Sequence, residues 1–318
     1  MNTLNRRSWL KVSAAATLGT SLGSLVEAAA NDLRAKATKN LKLAIFTGVY
    51  AKVPLAEAAQ RIAAAGFQGV VLENTFADVR FDPFAPDWDA LRQITDTLAK
   101  HRLKVVGLFG YYNVVDPDPA KRKRGEQRME LLIQNWKRFG CPVISTETGT
   151  FNPKSEWLEA PENYTEQGYL ACRAALERLA RLAEKTGAII SIEPYWKNVI
   201  DSAARAERLF KEVNSRAFKL VMDPCNYFRK EDLPRMAPML EDLFQRVGQQ
   251  TVLAHAKDVK ASADGTDLPA SGLGVLDYPL YLRLLARLDR EIYLAIEHLG
   301  LEDVARARDH VLAQFDKI

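Results

Sequence analysis

From Leu41 onward the chain alternates between short runs dense in β-branched and apolar residues and longer stretches whose apolar residues fall three and four apart. The runs are Leu41–Thr47, Gly69–Glu73, Lys104–Phe109, Pro142–Glu147, Ala188–Glu193, Phe218–Asp223, Thr251–His255 and Ile292–Glu297. The intervening stretches read as helices, for example Ala171-Ala174-Ala175-Leu176-Leu179-Leu182, with further candidates at Leu55–Ala65, Trp88–Lys100, Lys121–Phe139, Ala203–Val213, Leu233–Val247, Pro279–Leu288 and Leu301–Phe315. Gly66, Gly140 and Gly187 sit where helix C-caps belong, just ahead of the next run. The strand runs are nearly continuous in apolar residues, the pattern of parallel strands covered on both faces. Eight such β-then-α units over residues 41–318 match a single α/β domain closed as a (β/α)8 TIM barrel. An open doubly wound sheet would carry a glycine-rich nucleotide turn after its first strand, and Phe46-Thr47-Gly48-Val49-Tyr50 is no such turn.

A length of 318 residues with 47% hydrophobic and 26% charged side chains excludes a largely disordered chain and a multi-span membrane protein. Three cysteines make no disulfide framework, and a net charge of +4 gives no concentrated basic face for nucleic acid. Part of that charge belongs to the first thirty residues. Asn5-Arg6-Arg7-Ser8-Trp9-Leu10-Lys11 precedes a mildly apolar run from Val12 to Val26 that ends in Ala28-Ala29-Ala30. This order of charged, apolar and small residues is that of an export signal cleaved near Ala30, and the arginine pair resembles the twin-arginine type. The apolar run is too short and too rich in Ala, Ser, Thr and Gly for stable membrane insertion. The sequence therefore divides into a signal over 1–30, a short linker over 31–40 and the barrel over 41–318. It implies passage through the twin-arginine machinery and a periplasmic or otherwise exported location. That route carries folded proteins, often with a metal already loaded.

In such barrels chemistry gathers at the C-terminal ends of the strands. The last four runs finish in Ile192-Glu193-Pro194-Tyr195, Met222-Asp223-Pro224-Cys225-Asn226, Ala254-His255-Ala256-Lys257-Asp258 and Ile296-Glu297-His298. Glu193, Asp223, His255 and Glu297 thus emerge from four consecutive strands at one mouth. Three carboxylates packed together repel unless one stays protonated or a cation joins them. Three oxygens and one imidazole nitrogen suit one divalent ion, Mn²⁺ first, then Co²⁺ or Mg²⁺; zinc is admitted but disfavoured without a thiolate. Glu73 and Glu147 close two earlier strands and face the same mouth, so both are candidate substrate contacts. Tyr195 and Trp196 offer an apolar wall for a bound ring, with ordinary loop packing as the alternative. Lys257 and Asp258 orient His255, meet substrate hydroxyls or are plain surface charges, and His298 follows a ligand strand closely enough to touch substrate. Cys225 has no base beside it and reads as a small packing residue.

The order Glu193, Asp223, His255, Glu297 on strands five to eight resembles the xylose-isomerase-like TIM barrels, the sugar (phosphate) isomerase/epimerase group that includes ketose 3-epimerases and inosose dehydratases. His255-Ala256-Lys257-Asp258 and then Gly272-Leu273-Gly274-Val275-Leu276-Asp277-Tyr278 resemble the segment after strand seven in that group. The resemblance implies that Glu193 and Glu297 ligate the ion and exchange protons with substrate, while Asp223 and His255 are structural ligands. Asn226 falls where the ketose epimerases often carry a histidine touching substrate oxygen, a departure from their pattern. Dimers and tetramers are common in the group, so a homo-oligomer is compatible with it. The implied reaction is proton abstraction beside a carbonyl through a metal-stabilised enediolate, giving isomerisation or epimerisation. The same enediolate also serves a lyase or dehydratase eliminating a β-oxygen from a 3-keto-glycoside or inosose. Export points to a non-phosphorylated sugar or keto-sugar, because sugar phosphates are mainly cytoplasmic. The apurinic-site endonucleases share the barrel but use several more histidines than the four present here. A non-catalytic sugar binder is disfavoured by the intact Glu193/Glu297 pair.

Overall fold

The computed structural model describes residues 31–263 and 265–318; the export signal expected over 1–30 lies outside them. The apolar runs form β1 (Leu41–Phe46), β2 (Gly69–Leu72), β3 (Lys104–Phe109), β4 (Val143–Glu147), β5 (Ile189–Glu193), β6 (Phe218–Met222) and β7 (Thr251–Ala256). A small antiparallel hairpin, β8 (Lys260–Ser262) with β9 (Gly265–Asp267), follows before the last barrel strand, β10 (Ile292–Ile296). Among the described residues eight parallel strands close into a barrel in the order β1-β10-β7-β6-β5-β4-β3-β2. Closure is made by β1 on β10, in register from Leu41 opposite Ile292 to Ile45 opposite Ile296.

Successive side chains on a strand point to opposite faces, so each strand divides its residues between two cores. One set faces the helices and joins the large outer core, including Ile45, Val70, Ile144, Ile190, Ile192 and Leu220. The other fills the barrel with Ala44, Phe46, Val71, Val106, Val221, Leu253 and Ala295. Buried Ser145 and Ser191 share that interior and pair through their hydroxyls at 3.0 Å. Residue size is matched across this layer. A Cβ on Gly69 would lie 2.8 Å from both the Tyr293 ring and Val106.

The connecting helices are α1 (Leu55–Ala64), α2 (Trp88–Lys100), α3 (Pro119–Phe139), α4 (Glu166–Thr186), α5 (Ala203–Val213), α6 (Met236–Val247), α7 (Tyr278–Ala286) and α8 (Val304–Phe315). Their starts are set by side chains that accept the free N-terminal backbone donors: Asp87, Asp118, Thr165, Ser202 and Asp277. Gly140 and Gly187 end α3 and α4 in the left-handed conformation, with φ of 73° and 78°. The capped Asp118-Pro119 start places the first turn of α3 two residues earlier than the apolar spacing alone suggests. Residues 31–40, expected to be a short linker, are instead helical. Ala37 is buried there, and the Arg34 guanidinium donates to the Phe315 carbonyl at 3.2 Å, tying this segment to the end of α8. No helix of the described residues is long and apolar enough to cross a membrane.

Candidate metal centre and active site

The inward parity of each strand carries past its end. Two residues beyond the inward Ser191, Val221, Leu253 and Ala295 stand Glu193, Asp223, His255 and Glu297. One ligand atom from each of these four lies within 4.8 Å of the others. His255 Nδ1 stands 3.4 Å from Glu193 Oε1, 3.6 Å from Asp223 Oδ2 and 3.4 Å from Glu297 Oε2. Each ligand is held from behind. Asp223 turns one oxygen back to accept the Cys225 amide at 3.1 Å, which leaves Oδ2 for the cluster. The Phe46 ring meets the imidazole edge-on at 5.2 Å between centroids, and the Tyr281 hydroxyl donates to the His255 carbonyl at 3.1 Å. The turn Pro224–Tyr227 brings Asn226 back so that its amide donates to Glu193 Oε1 at 2.7 Å. The Tyr111 hydroxyl donates to the other oxygen, Oε2.

Lys257, two residues past His255, enters the same cluster. Its Nζ lies 2.6 Å from Asp223 Oδ2, 2.8 Å from Glu297 Oε1 and 3.9 Å from Glu193 Oε1. These distances and the burial decide the charges. Burial opposes ionisation of Glu193, yet the imidazolium of His255 and the ammonium of Lys257 hold its pKa at about 2. Glu297 is held well below the usual carboxylate range by the same two cations against the same burial. Asp223, the most enclosed, is raised by burial. His255 and Lys257 are buried as well, but the surrounding carboxylates raise both well above their ordinary values.

The donor set fits a divalent cation. Neither ring nitrogen of His255 has a hydrogen-bond partner among the described residues, while Asp223 Oδ2 and Glu297 Oε1 meet the Lys257 ammonium. A buried imidazole without a partner is costly, and an ion held among the four residues would take up its free nitrogen. Three oxygens with one nitrogen suit Mg²⁺ or Mn²⁺ and also accommodate Zn²⁺.

Glu193 and Glu297, with Lys257, line a cavity of about 740 Å³, a size suited to a small-molecule ligand, whereas Asp223 and His255 are buried and do not line it. Of the residues expected to meet substrate, Glu73, Glu147, Tyr195, Asn226, Lys257 and His298 line it. Glu73 accepts the Gly48 amide at 3.2 Å, and a Cβ on Gly48 would collide with that carboxylate. Glu147 is buried, and burial, with Glu156 and Glu193 nearby, pushes its carboxyl up to about 8. His298 adopts φ 57°, turning Nδ1 to the Leu268 carbonyl at 2.7 Å and Nε2 to within 4.0 Å of Glu297.

Two expected contacts lie elsewhere. Trp196 is buried outside the cavity with the Arg229 guanidinium 4.7 Å from its ring centre, so of the aromatic pair only Tyr195 forms the wall. Asp258 is turned into the loop behind β7. Its carboxylate accepts the amides of Val259 at 3.0 Å, Gly272 at 2.9 Å and Leu276 at 2.9 Å. Tyr111 and Arg128 line the cavity and escape the sequence reading. Tyr111 stands two residues past inward Phe109, so strand parity was the available signal. Arg128 lies on α3 and carries no strand-end signature.

The sequence matches none of the curated proteins. Solved structures share the fold at low identity. A xylose isomerase-like TIM barrel protein from Mycobacterium smegmatis in complex with magnesium is 16% identical, with a TM-score of 0.64 over 88% of this chain and 98% of that one. The probable 3-DHS dehydratase AsbF from Bacillus anthracis is 14% identical, with a TM-score of 0.66 over 86% and 98%. The E. coli 3-keto-D-glucoside 4-epimerase YcjR is 17% identical, with a TM-score of 0.64 over 87% and 100%. The family model described as xylose isomerase-like TIM barrel matches residues 59–313, and with the closed barrel already traced, the chain belongs to that family.

Proposed function

We propose that this protein is an exported, divalent-metal-dependent isomerase or epimerase acting on a non-phosphorylated sugar or keto-sugar. The observation that carries the reading is the convergence of Glu193, Asp223, His255 and Glu297, with ligand atoms within 4.8 Å of one another, where Glu193 and Glu297 line a cavity of about 740 Å³. A hydrogen beside a carbonyl is hard to remove because the resulting oxyanion is poorly stabilised in water. A bound divalent ion supplies that stabilisation by polarising the carbonyl oxygen. The protein's own residues handle the proton. Glu193 and Glu297 enter as carboxylates: one takes the proton and returns it to the neighbouring carbon for isomerisation, or the other relays a proton drawn from solvent to the opposite face for epimerisation. Tyr111 and Asn226 each donate to one oxygen of Glu193, fixing its plane and favouring its charged form. Tyr195 and Phe109 supply aromatic lining to the cavity.

The same proton removal serves elimination, the reaction type of a dehydratase such as the probable 3-DHS dehydratase AsbF, so the test must separate the two outcomes. The full chain loaded with Mn²⁺ or Mg²⁺ is incubated in deuterated water with a panel of sugars and keto-sugars. Isomerisation or epimerisation leaves a product of unchanged mass apart from deuterium, whereas elimination dehydrates or splits the substrate. A loaded protein that binds sugars and never exchanges their α-hydrogens would overturn the proposal.

A further inference from the structure

The cavity is charged unlike at its two ends. Its floor carries the Glu193 and Glu297 carboxylates, and one wall is the N-terminal half of α3. Lys121, Arg124 and Arg128 all line the cavity from that helix. Their spacing of three and then four residues puts them on one helical face. Gly125 on the same side lets the helix press against the site, since a Cβ there would strike the Tyr112 ring.

None of the three makes an ion pair among the described residues, although arginines elsewhere do so freely, as Arg208 with Glu166 and Arg246 with Glu207. Asp116 and Glu156 line the same cavity without coming within ion-pair distance of them. Arg124 stacks its guanidinium 3.9 Å from the centre of the Phe84 ring, a contact that orients the cation and leaves its edge free. Arg128 is the most enclosed. One terminal nitrogen donates to the Tyr111 carbonyl, while its Nε is buried with no partner. Burial lowers its pKa, opposed in part by the more distant Glu156 carboxylate. Tyr111 thus joins the two ends directly: its hydroxyl meets Glu193 and its carbonyl meets Arg128.

We infer that the wall formed by Lys121, Arg124 and Arg128 binds an anionic group of the substrate, a carboxylate or a phosphate, while the reacting carbons lie over Glu193 and Glu297. A planar guanidinium with unspent donors in a partly desolvated wall is the usual partner of such groups. The uncharged carbonyl and hydroxyl end is then left to enter the ion site, where Lys257 and a bound cation would offset the carboxylates. The inference rests on the proposed reaction only for the second half of that placement. It narrows the substrate to a charged sugar, and a phosphate outcome would remove the non-phosphorylated clause of the proposal above.

Calorimetry on the full metal-loaded chain at low ionic strength tests it with D-glucose, D-glucuronate and D-glucose 6-phosphate as probes. At least one anionic probe should bind about tenfold or more tighter than glucose, and salt should weaken that preference. Arg128→Gln should reduce anion affinity by roughly 10–100-fold, the loss expected for a charged hydrogen-bonded pair. Arg128→Lys should recover part of it. Arg124→Gln, on an exposed side chain, gives the same readout in smaller degree should Arg128→Gln fail to fold. Tighter glucuronate marks a carboxylated substrate, and tighter phosphate a phosphorylated one. Equal binding of glucose and both anions, absence of anion binding, or full anion affinity in the folded Arg128→Gln and Arg124→Gln variants would each overturn the inference. Arginine-dependent anion binding without α-hydrogen exchange on any sugar would sink the proposed reaction and leave the anion wall standing.

Discussion

Glu193 is fastened at both oxygens and faces two buried cations, so its charge and its plane are set before any substrate arrives. Glu193→Gln keeps the volume and removes the charge. This variant, and Glu297→Gln with it, should each lower solvent-hydrogen exchange by at least about 10²-fold while the circular dichroism spectrum stays that of the parent. Near-normal exchange in either would refute the assigned pair. Glu147 gives a prediction about stability instead. Its carboxyl is pushed by burial to about 8 against an ordinary 4.5, so between those pH values the unfolded chain has lost a proton that the folded chain keeps. Stability from this group therefore falls as pH rises from 4.5 to 8 and is level above. Glu147→Gln removes that dependence. The melting temperature of the variant relative to the parent should rise between pH 5 and pH 9, as thermal unfolding at the two values will measure. Glu193, Asp223, His255 and Glu297 were legible in the sequence because a polar residue directly after a buried apolar run has one place to go. Tyr111 was harder to read because β3 ends at Phe109 and Tyr111 lies two residues beyond it, outside any apolar run. Asp258 was misplaced because nothing in local composition tells a loop-bracing carboxylate from one that faces a cavity.

The segment after β7 depends on that carboxylate. Asp258 alone satisfies the amides of Val259, Gly272 and Leu276, joining both limbs of the excursion that carries the β8–β9 hairpin. Asp258→Ala leaves these donors without their acceptor and should cost about 2–5 kcal/mol in a denaturant titration. Limited proteolysis should then open the stretch between Asp258 and Tyr278 before the rest of the barrel. Elements that bury a continuous or periodic apolar face could be read from sequence, and so the parallel strands and the barrel helices could. The hairpin could not. It has three residues a side, and its pairing rests on contacts such as Thr266 with the Phe228 carbonyl at 3.1 Å, across 38 residues of sequence. The helical segment over 31–40 was missed for a related reason. It is polar along most of its length and is held by Ala37 and by Arg34 on the end of α8, neither of which makes a periodic pattern.

Four strands contribute one ligand residue each to the candidate metal centre, so ion binding and the closed barrel are thermodynamically linked. Added Mn²⁺ or Mg²⁺ should raise the unfolding temperature. The gain is about 2.7 kcal/mol at a concentration one hundred times Kd. A chelator should reverse it, and Asp223→Asn should blunt it; an unfolding temperature indifferent to all these ions would count against the centre. The order of the strands in space adds one more implication. Glu193, Asp223 and His255 come from successive neighbours β5, β6 and β7, whereas Glu297 follows β10, the strand that also grips β1. The fourth ligand reaches its companions together with the seam between the first and last staves. During refolding from denaturant, tight capture of a spectroscopic ion such as Co²⁺ would therefore time the sealing of that seam, even after the other strands had paired.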